Sequence, residues 1–134
     1  MKSKNVIEAI FKRNCTKHFN SMLWAEVPDE IKNIVQKNIL TLAENDVIML
    51  YFLDETYFWL LTSCSLIVFQ EKNSKSFAFS EIKQVRVPKQ LFDRTIEKSQ
   101  LDFLLIYTEN CTLKLQVEIK TWPAVLKVLQ FVIM

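Results

Sequence analysis

Cys15 and His18 stand three residues apart in "CTKH", close enough to meet on one helix face, where they could form a thiolate–imidazole pair or half of a metal site. His18 is the chain's only histidine, so a nucleophile that needs an imidazole base must use it. A tetrahedral zinc would have to recruit Cys64 and Cys111, and neither has a second ligand nearby in sequence. Three widely spaced cysteines do not make a disulfide framework either, and unpaired thiols usually behave as small core hydrophobes. The expected catalytic, metal and cofactor sets are therefore empty.

The carboxylates lead to the same expectation. Asp29 and Glu30 open a helix, Asp54 and Glu55 sit in a turn, and Glu71, Glu81 and Glu97 border strands or loops. Two of them could act as an acid/base pair only if the fold brought them together, and solvated caps and turns account for them all. The reading is a protein that is not an enzyme.

The chain has no glycine in 134 residues. Phosphate-cradling loops need glycine where the backbone approaches the ligand, so the P-loop and the dinucleotide fingerprint are excluded. Turns with positive φ are expected to use Asn or Asp, with candidates at Asn45-Asp46, Asp54-Glu55, Lys72-Asn73-Ser74 and Glu109-Asn110.

Binding residues are the remaining candidates. Lys72, Lys75, Lys83, Arg86, Lys89 and Arg94 cluster in residues 72 to 94, and Leu91 and Phe92 add apolar side chains in the connection Pro88 to Gln100. These eight form the expected partner-binding set, suited to an anionic surface on another protein. Net charge is only +2, from 17 basic and 15 acidic residues, so no extended basic face is offered to nucleic acid. Rings crowd the first strands: Tyr51, Phe52, Tyr57, Phe58, Trp59, Phe69, Phe77 and Phe79. Their neighbours are Leu, Ile and Val rather than the cations of a base-stacking platform, so most should be core. Consecutive pairs such as Tyr51-Phe52 and Phe58-Trp59 point to opposite faces of a strand, so one ring of each pair must be covered by the N-terminal helices or left exposed for a ligand.

The elements that position these residues follow from periodicity. Val6, Ile7, Ile10 and Phe11 have helical spacing, and Ile31, Ile34, Val35, Ile39 and Leu42 make an apolar stripe on a second helix, begun at Pro28 and stopped near Asn45. "SMLWAE" receives no assignment. Five strands are expected at about 47 to 53, 56 to 62, 65 to 71, 75 to 79 and 82 to 87, the last with a bulge between Ile82 and Val85. Two more, "LDFLLIYT" and "CTLKLQVEI", flank Glu109-Asn110, and Leu113, Leu115, Val117 and Ile119 share one face. "TWPAVLKVLQFVIM" closes as an amphipathic helix, capped by Thr121. The length is that of one domain: residues 1 to 45 helical, 46 to 120 strand-rich, 121 to 134 a capping helix.

The run "PDEIKNIVQKNILTLAENDVIML", the hairpin into "LLTSCSLIVFQ", the strand "IKQVRV" after "SEI", the late strand pair and the terminal helix together resemble the bacterial pleckstrin-homology-like (PH-like, GRAM-like) family over residues 27 to 134. The resemblance implies an α+β fold, a seven-stranded antiparallel barrel or sandwich capped by the C-terminal helix, with N-terminal helices outside it. It also implies a non-catalytic binding module, most simply for a protein partner. An immunity protein, the cytosolic inhibitor of a bacterial toxin, is the alternative within protein binding. Membrane-lipid binding is the third reading, but "LDETYF" places Asp54 and Glu55 at the first hairpin tip, where carboxylates repel an anionic headgroup. Thr62-Ser63-Cys64-Ser65-Leu66 likewise lacks the basic residue that such domains carry at this strand entry.

The N-terminal stretch has charges through its apolar part, and the longest apolar run, Val47 to Leu53, is too short for a bilayer at roughly 20 residues. The expected location is the cytoplasm.

Overall fold

The computed structural model describes residues 3–15, 20–39, 42 and 46–134. His18 and Asn45 lie outside these residues, and with them the Cys15–His18 pair and the first of the candidate turns.

Helix α1 (Lys4–Asn14) buries Ile7 and Phe11, one helical turn apart, and carries Lys12 and Arg13 at its dipole-favoured end. Asn20 and the short strand β1 (Ser21–Leu23) follow, and a single 3-10 turn (Trp24–Glu26) leads to α2 (Asp29–Asn38). The segment without an assignment is thus a strand, and the N-terminal third is not all helix. Asn20 anchors it: Phe52 N–H donates to the Asn20 carbonyl at 2.9 Å, and Asn20 Nδ2 donates to the Phe52 carbonyl at 2.9 Å. Helix α2 stops at Asn38, earlier than expected, because Ile39 leaves helical geometry at φ −125° and ψ 84°. The stripe nevertheless does its work, burying Val35 and Ile39 with Ile31 and Leu42 against them.

Strands β2 (Val47–Asp54), β3 (Tyr57–Thr62), β4 (Ser65–Gln70) and β5 (Asn73–Ala78) form a meander, and with β1 they make one antiparallel sheet in the order β1-β2-β3-β4-β5. Strands β6 (Ile82–Arg86), β7 (Phe103–Thr108) and β8 (Thr112–Gln116) make the second, in the order β6-β7-β8. The fold is α+β, with eight strands among the described residues in two antiparallel sheets; of the barrel or sandwich expected, no closed barrel forms, and there is one strand more than the seven expected. The bulge falls at the start of β6, where the register shifts between Ile82 and Gln84. Between β6 and β7 the chain forms the short helix α3 (Lys89–Phe92) and a 3-10 turn (Lys98–Gln100), held to the body by Trp122 Nε1 donating to the Lys98 carbonyl at 2.9 Å.

The final helix, α4 (Trp122–Val132), buries Ala124, Val125, Val128, Leu129 and Val132, and packs against α1. Thr121 does not cap it through its side chain. The hydroxyl donates backward to the Glu118 carbonyl at 2.9 Å.

The five-stranded sheet divides two cores. Its inner face presents Met49, Tyr51, Trp59, Leu61, Leu66 and Val68 to the second sheet and to α1 and α4. The outer face presents Leu50, Phe58, Leu60 and Phe69 to α2 and the Trp24 turn. The consecutive rings are resolved in this way: Tyr51 and Trp59 go inward, Phe52 and Phe58 outward. The N-terminal segment covers the apolar surplus. At the far side, the sheets are stitched by side chains. Trp59 Nε1 donates to the Gln116 carbonyl at 2.7 Å, the Gln116 N–H donates to the Tyr57 hydroxyl at 3.0 Å, and one Glu118 carboxylate oxygen accepts the N–H groups of Asn20 and Ser21 at 2.8 and 3.0 Å.

Positive φ does not fall on Asn or Asp among the described residues. It falls on Glu71 (53°), Lys72 (65°), Arg94 (63°) and Lys120 (76°). The two-residue β4–β5 hairpin requires it at both central positions, and pairing of the flanking strands outweighs the local preference of Glu and Lys.

Candidate functional site

The eight residues expected to bind a partner line no common cleft. Lys72 sits in the β4–β5 turn and lines a cleft with Lys37 and Asn38 of α2. Lys75, on β5, lines another with Phe77 and Leu113. Lys83 lies in the bulge of β6 and lines a third with Glu81 and Glu109. Leu91 and Arg94 share a fourth with Ile96 and Lys98. Lys89 is exposed on α3, and Phe92 is 76% exposed. Arg86 ends β6 opposite Leu105. Proximity in sequence scattered these residues around both sheets, because consecutive strand residues alternate faces and each turn reverses direction.

A different group is brought together on the outer face of the three-stranded sheet. The central strand β7 alternates: Leu104 and Ile106 are fully buried in the inner core, while Phe103, Leu105 and Tyr107 are half-buried and belong to neither core. Register places Arg86 on one side of Leu105 and Lys114 on the other, with Gln84 and Thr112 flanking Tyr107 and Gln116 beside Phe103. Directly paired residues of this kind have Cβ atoms about 5 Å apart, so the two cations border one apolar stripe. Lys114 Nζ lies 4.3 Å above the Phe103 ring, a cation–π contact. Next to it is a cleft of about 370 Å³ lined by Tyr57, Gln70, Asp102, Phe103, Lys114 and Gln116. Only Arg86 of this group was among the candidates. The missed signal was present: "FLLIY" alternates on a central strand, and the β-strand "LKLQ" beside it puts Lys114 on the same face as Leu105.

Electrostatics differ between the first hairpin tip and the inner core. At the β2–β3 turn, Asp54 accepts the Thr56 hydroxyl and the N–H groups of Thr56 and Tyr57, which holds its carboxyl below the usual carboxylate range and keeps the hairpin tip anionic. In the inner core, Tyr51 stacks on Trp59 with centroids 5.8 Å apart. Burial, then Tyr57, Glu118, Asp102 and Asp54, push its phenol up to about 12. Burial also raises the Tyr57 phenol, opposed by the hydrogen bond from Gln116.

Cys15 is buried, and burial followed by the Glu118 charge raises its thiol. Cys64 and Cys111 are exposed at the β3–β4 and β7–β8 turns, each beside a threonine hydroxyl. No group of three or more His, Cys, Asp or Glu side chains among the described residues is arranged to hold a metal ion. Among the described residues, no helix is long and apolar enough to cross a membrane.

No family model matches the chain, and no curated protein or solved structure matches it either.

Proposed function

We propose that this chain is a non-catalytic, PH-like binding module that recognises another protein through the outer face of the three-stranded sheet. The PH-like reading is supported by element order: a four-stranded meander β2–β5, a three-stranded meander β6–β8 and a terminal amphipathic helix. The partner reading is carried by one observation, the stripe Phe103, Leu105 and Tyr107 outside both cores, bordered by Arg86 and Lys114. Apolar side chains left at a surface and rimmed by polar groups mark interaction sites. The complementary surface is apolar at its centre with carboxylates at its rim, opposite the two cations. The anionic Asp54 turn favours a protein over a lipid headgroup as ligand.

The test is native mass spectrometry of the tagged chain recovered gently from lysate of its own source. A stoichiometric protein adduct is expected with the unaltered chain and absent with Leu105→Glu, while Lys37→Glu, on α2 and remote from the stripe, keeps it. An adduct retained in full by a folded Leu105→Glu variant overturns the reading.

A further inference from the structure

Strand β8 is an edge of its sheet, and its hydrogen-bond phase can be read from both ends. Thr108 N–H donates to the Cys111 carbonyl at 2.9 Å, and Val117 N–H donates to the Asp102 carbonyl at 2.7 Å. In an antiparallel ladder, bonded and non-bonded pairs alternate. Leu104–Leu115 and Ile106–Leu113 are therefore bonded pairs, and the N–H and C=O groups of Thr112, Lys114 and Gln116 point away from β7. At Gln116 both outward groups are occupied, by the Tyr57 hydroxyl and by Trp59 Nε1. At Thr112 and Lys114 no described residue hydrogen-bonds the outward backbone groups, and both residues are exposed.

A cleft lies on each face of this edge. On the face of Lys114 and Gln116 is the cleft of about 370 Å³ that also holds Tyr57, Gln70 and Asp102. On the face of Leu113 is one of about 170 Å³, with Val68 and Phe77 as its other apolar walls and Gln70 shared between the two. Strand β5 is also an edge. The same alternation turns the backbone groups of Ser74, Ser76 and Ala78 outward, and the Ala78 N–H is taken by the Glu81 carboxylate at 3.2 Å. Its remaining edge has Lys75 and Phe77 on a cleft at one face only.

We infer that an extended segment of the partner protein adds to β8 as a further strand, bonding the backbone groups of Thr112 and Lys114. Strand addition draws affinity from main-chain hydrogen bonds and specificity from pockets that receive alternate side chains. An added strand has side chains on the two faces already set by Leu113 and Lys114. The smaller cleft takes one aliphatic side chain against Val68, Phe77 and Leu113. The larger takes the polar side chains on either side of it, among Gln70, Asp102, Lys114 and Gln116. Native edges are often blunted by charge or by covering contacts, and here the covering by Tyr57 and Trp59 stops at Gln116. This inference rests on the protein-binding reading and specifies the partner segment.

The test pans a phage-displayed library of random dodecapeptides on the full chain and measures the best-enriched peptide, synthesised, by fluorescence anisotropy and amide exchange. Binding is expected to protect the amides of Thr112 and Lys114. Lys114→Pro removes an N–H that the native ladder does not use, and should weaken binding about tenfold, the cost of one backbone bond lost with its partner left unpaired. Ser76→Pro, which removes an outward N–H of the other edge, should bind as the unaltered chain does. Methylating alternate peptide nitrogens should abolish binding in one phase and spare it in the other, whether or not the proline variant folds. Failure to enrich any peptide, equal loss in both methylation phases, or protection at Ser74 and Ser76 instead overturns the inference. A partner adduct lost with Leu105→Glu but kept with Lys114→Pro overturns strand addition alone. An adduct unaffected by either variant overturns the protein-binding reading with it.

Discussion

The two sheets are built from similar residues but live in different surroundings. Strands β2 to β4 of the five-stranded sheet are covered on both faces, by α2 and the Trp24 turn outside and by the second sheet, α1 and α4 inside, while β5 at the edge is exposed. The three-stranded sheet is covered on one face, and the other carries Phe103, Leu105 and Tyr107 between Arg86 and Lys114. The difference is written in the strands. "VIMLYFL" and "YFWLLT" are continuous apolar runs buried on both sides, while "LKLQ" alternates and "FLLIYT", equally apolar, leaves every second side chain only half-buried. A sheet with one uncovered face can give that face to recognition without losing core, and strands β2 to β4 have no such face to give.

The largest expected effect separates the two directly. Phe58 is fully buried in the outer core and stacks on Phe69 with centroids 4.8 Å apart. Phe58→Ala should cost about 3–5 kcal/mol in urea unfolding, from lost transfer energy and the cavity left behind. Leu105→Ala should cost less than about 1 kcal/mol, because its side chain already meets water and leaves no enclosed void. Comparable losses at the two positions would mean that the outer face of the smaller sheet is core after all.

How far the sequence disclosed this arrangement depended on which physical effect ruled each segment. Seven strands, the β6 bulge and the three amphipathic helices are legible, because hydrophobic periodicity fixes face and register wherever a core is waiting. Strand β1 was not, since three residues are too few to display a period, and its pairing is decided by Asn20 reaching the Phe52 backbone. The end of α2 was misread because the apolar stripe continues through Ile39 and Leu42 after the backbone has left the helix. The candidate site was legible only in part. Arg86 stands out as a charge in a cluster, while the β7 stripe and Lys114 become its neighbours only through strand pairing, nineteen residues on at Leu105 and twenty-eight at Lys114.

A smaller effect tests the inner core from the side of pH. Tyr51 is buried between the sheets with its phenol held at about 12, above its ordinary 10. The fold therefore favours the protonated phenol, so its contribution is complete below pH 10 and is lost as pH rises from 10 towards 12. Tyr57, raised in the same direction, adds to that loss. Denaturant midpoints measured at pH 9, 10 and 11 should fall for the unaltered chain and fall less steeply for Tyr51→Phe. Equal slopes would place the Tyr51 hydroxyl in water rather than between the sheets.

The smallest effect has the opposite sign and concerns the β4–β5 hairpin, where the covered sheet turns at its edge. Glu71 and Lys72 both hold positive φ, a conformation that costs a residue with a Cβ roughly 1–2 kcal/mol. The turn is held there by the Gln70–Asn73 pair and by the packing of β4, whose Leu66 and Val68 in the inner core and Phe69 in the outer core would change faces if the register slipped by one residue. Lys72→Gly removes the steric cost and adds unfolded-chain entropy, the first outweighing the second, so a stabilisation of about 0.5–1 kcal/mol is expected in urea unfolding. Lys72 lines the cleft beside α2 and neither of the two clefts at the β8 edge, so partner and peptide binding should be unchanged. A destabilised Lys72→Gly chain would mean that the lysine side chain, rather than the strands it joins, holds the turn, and that this corner of the five-stranded sheet is specified locally.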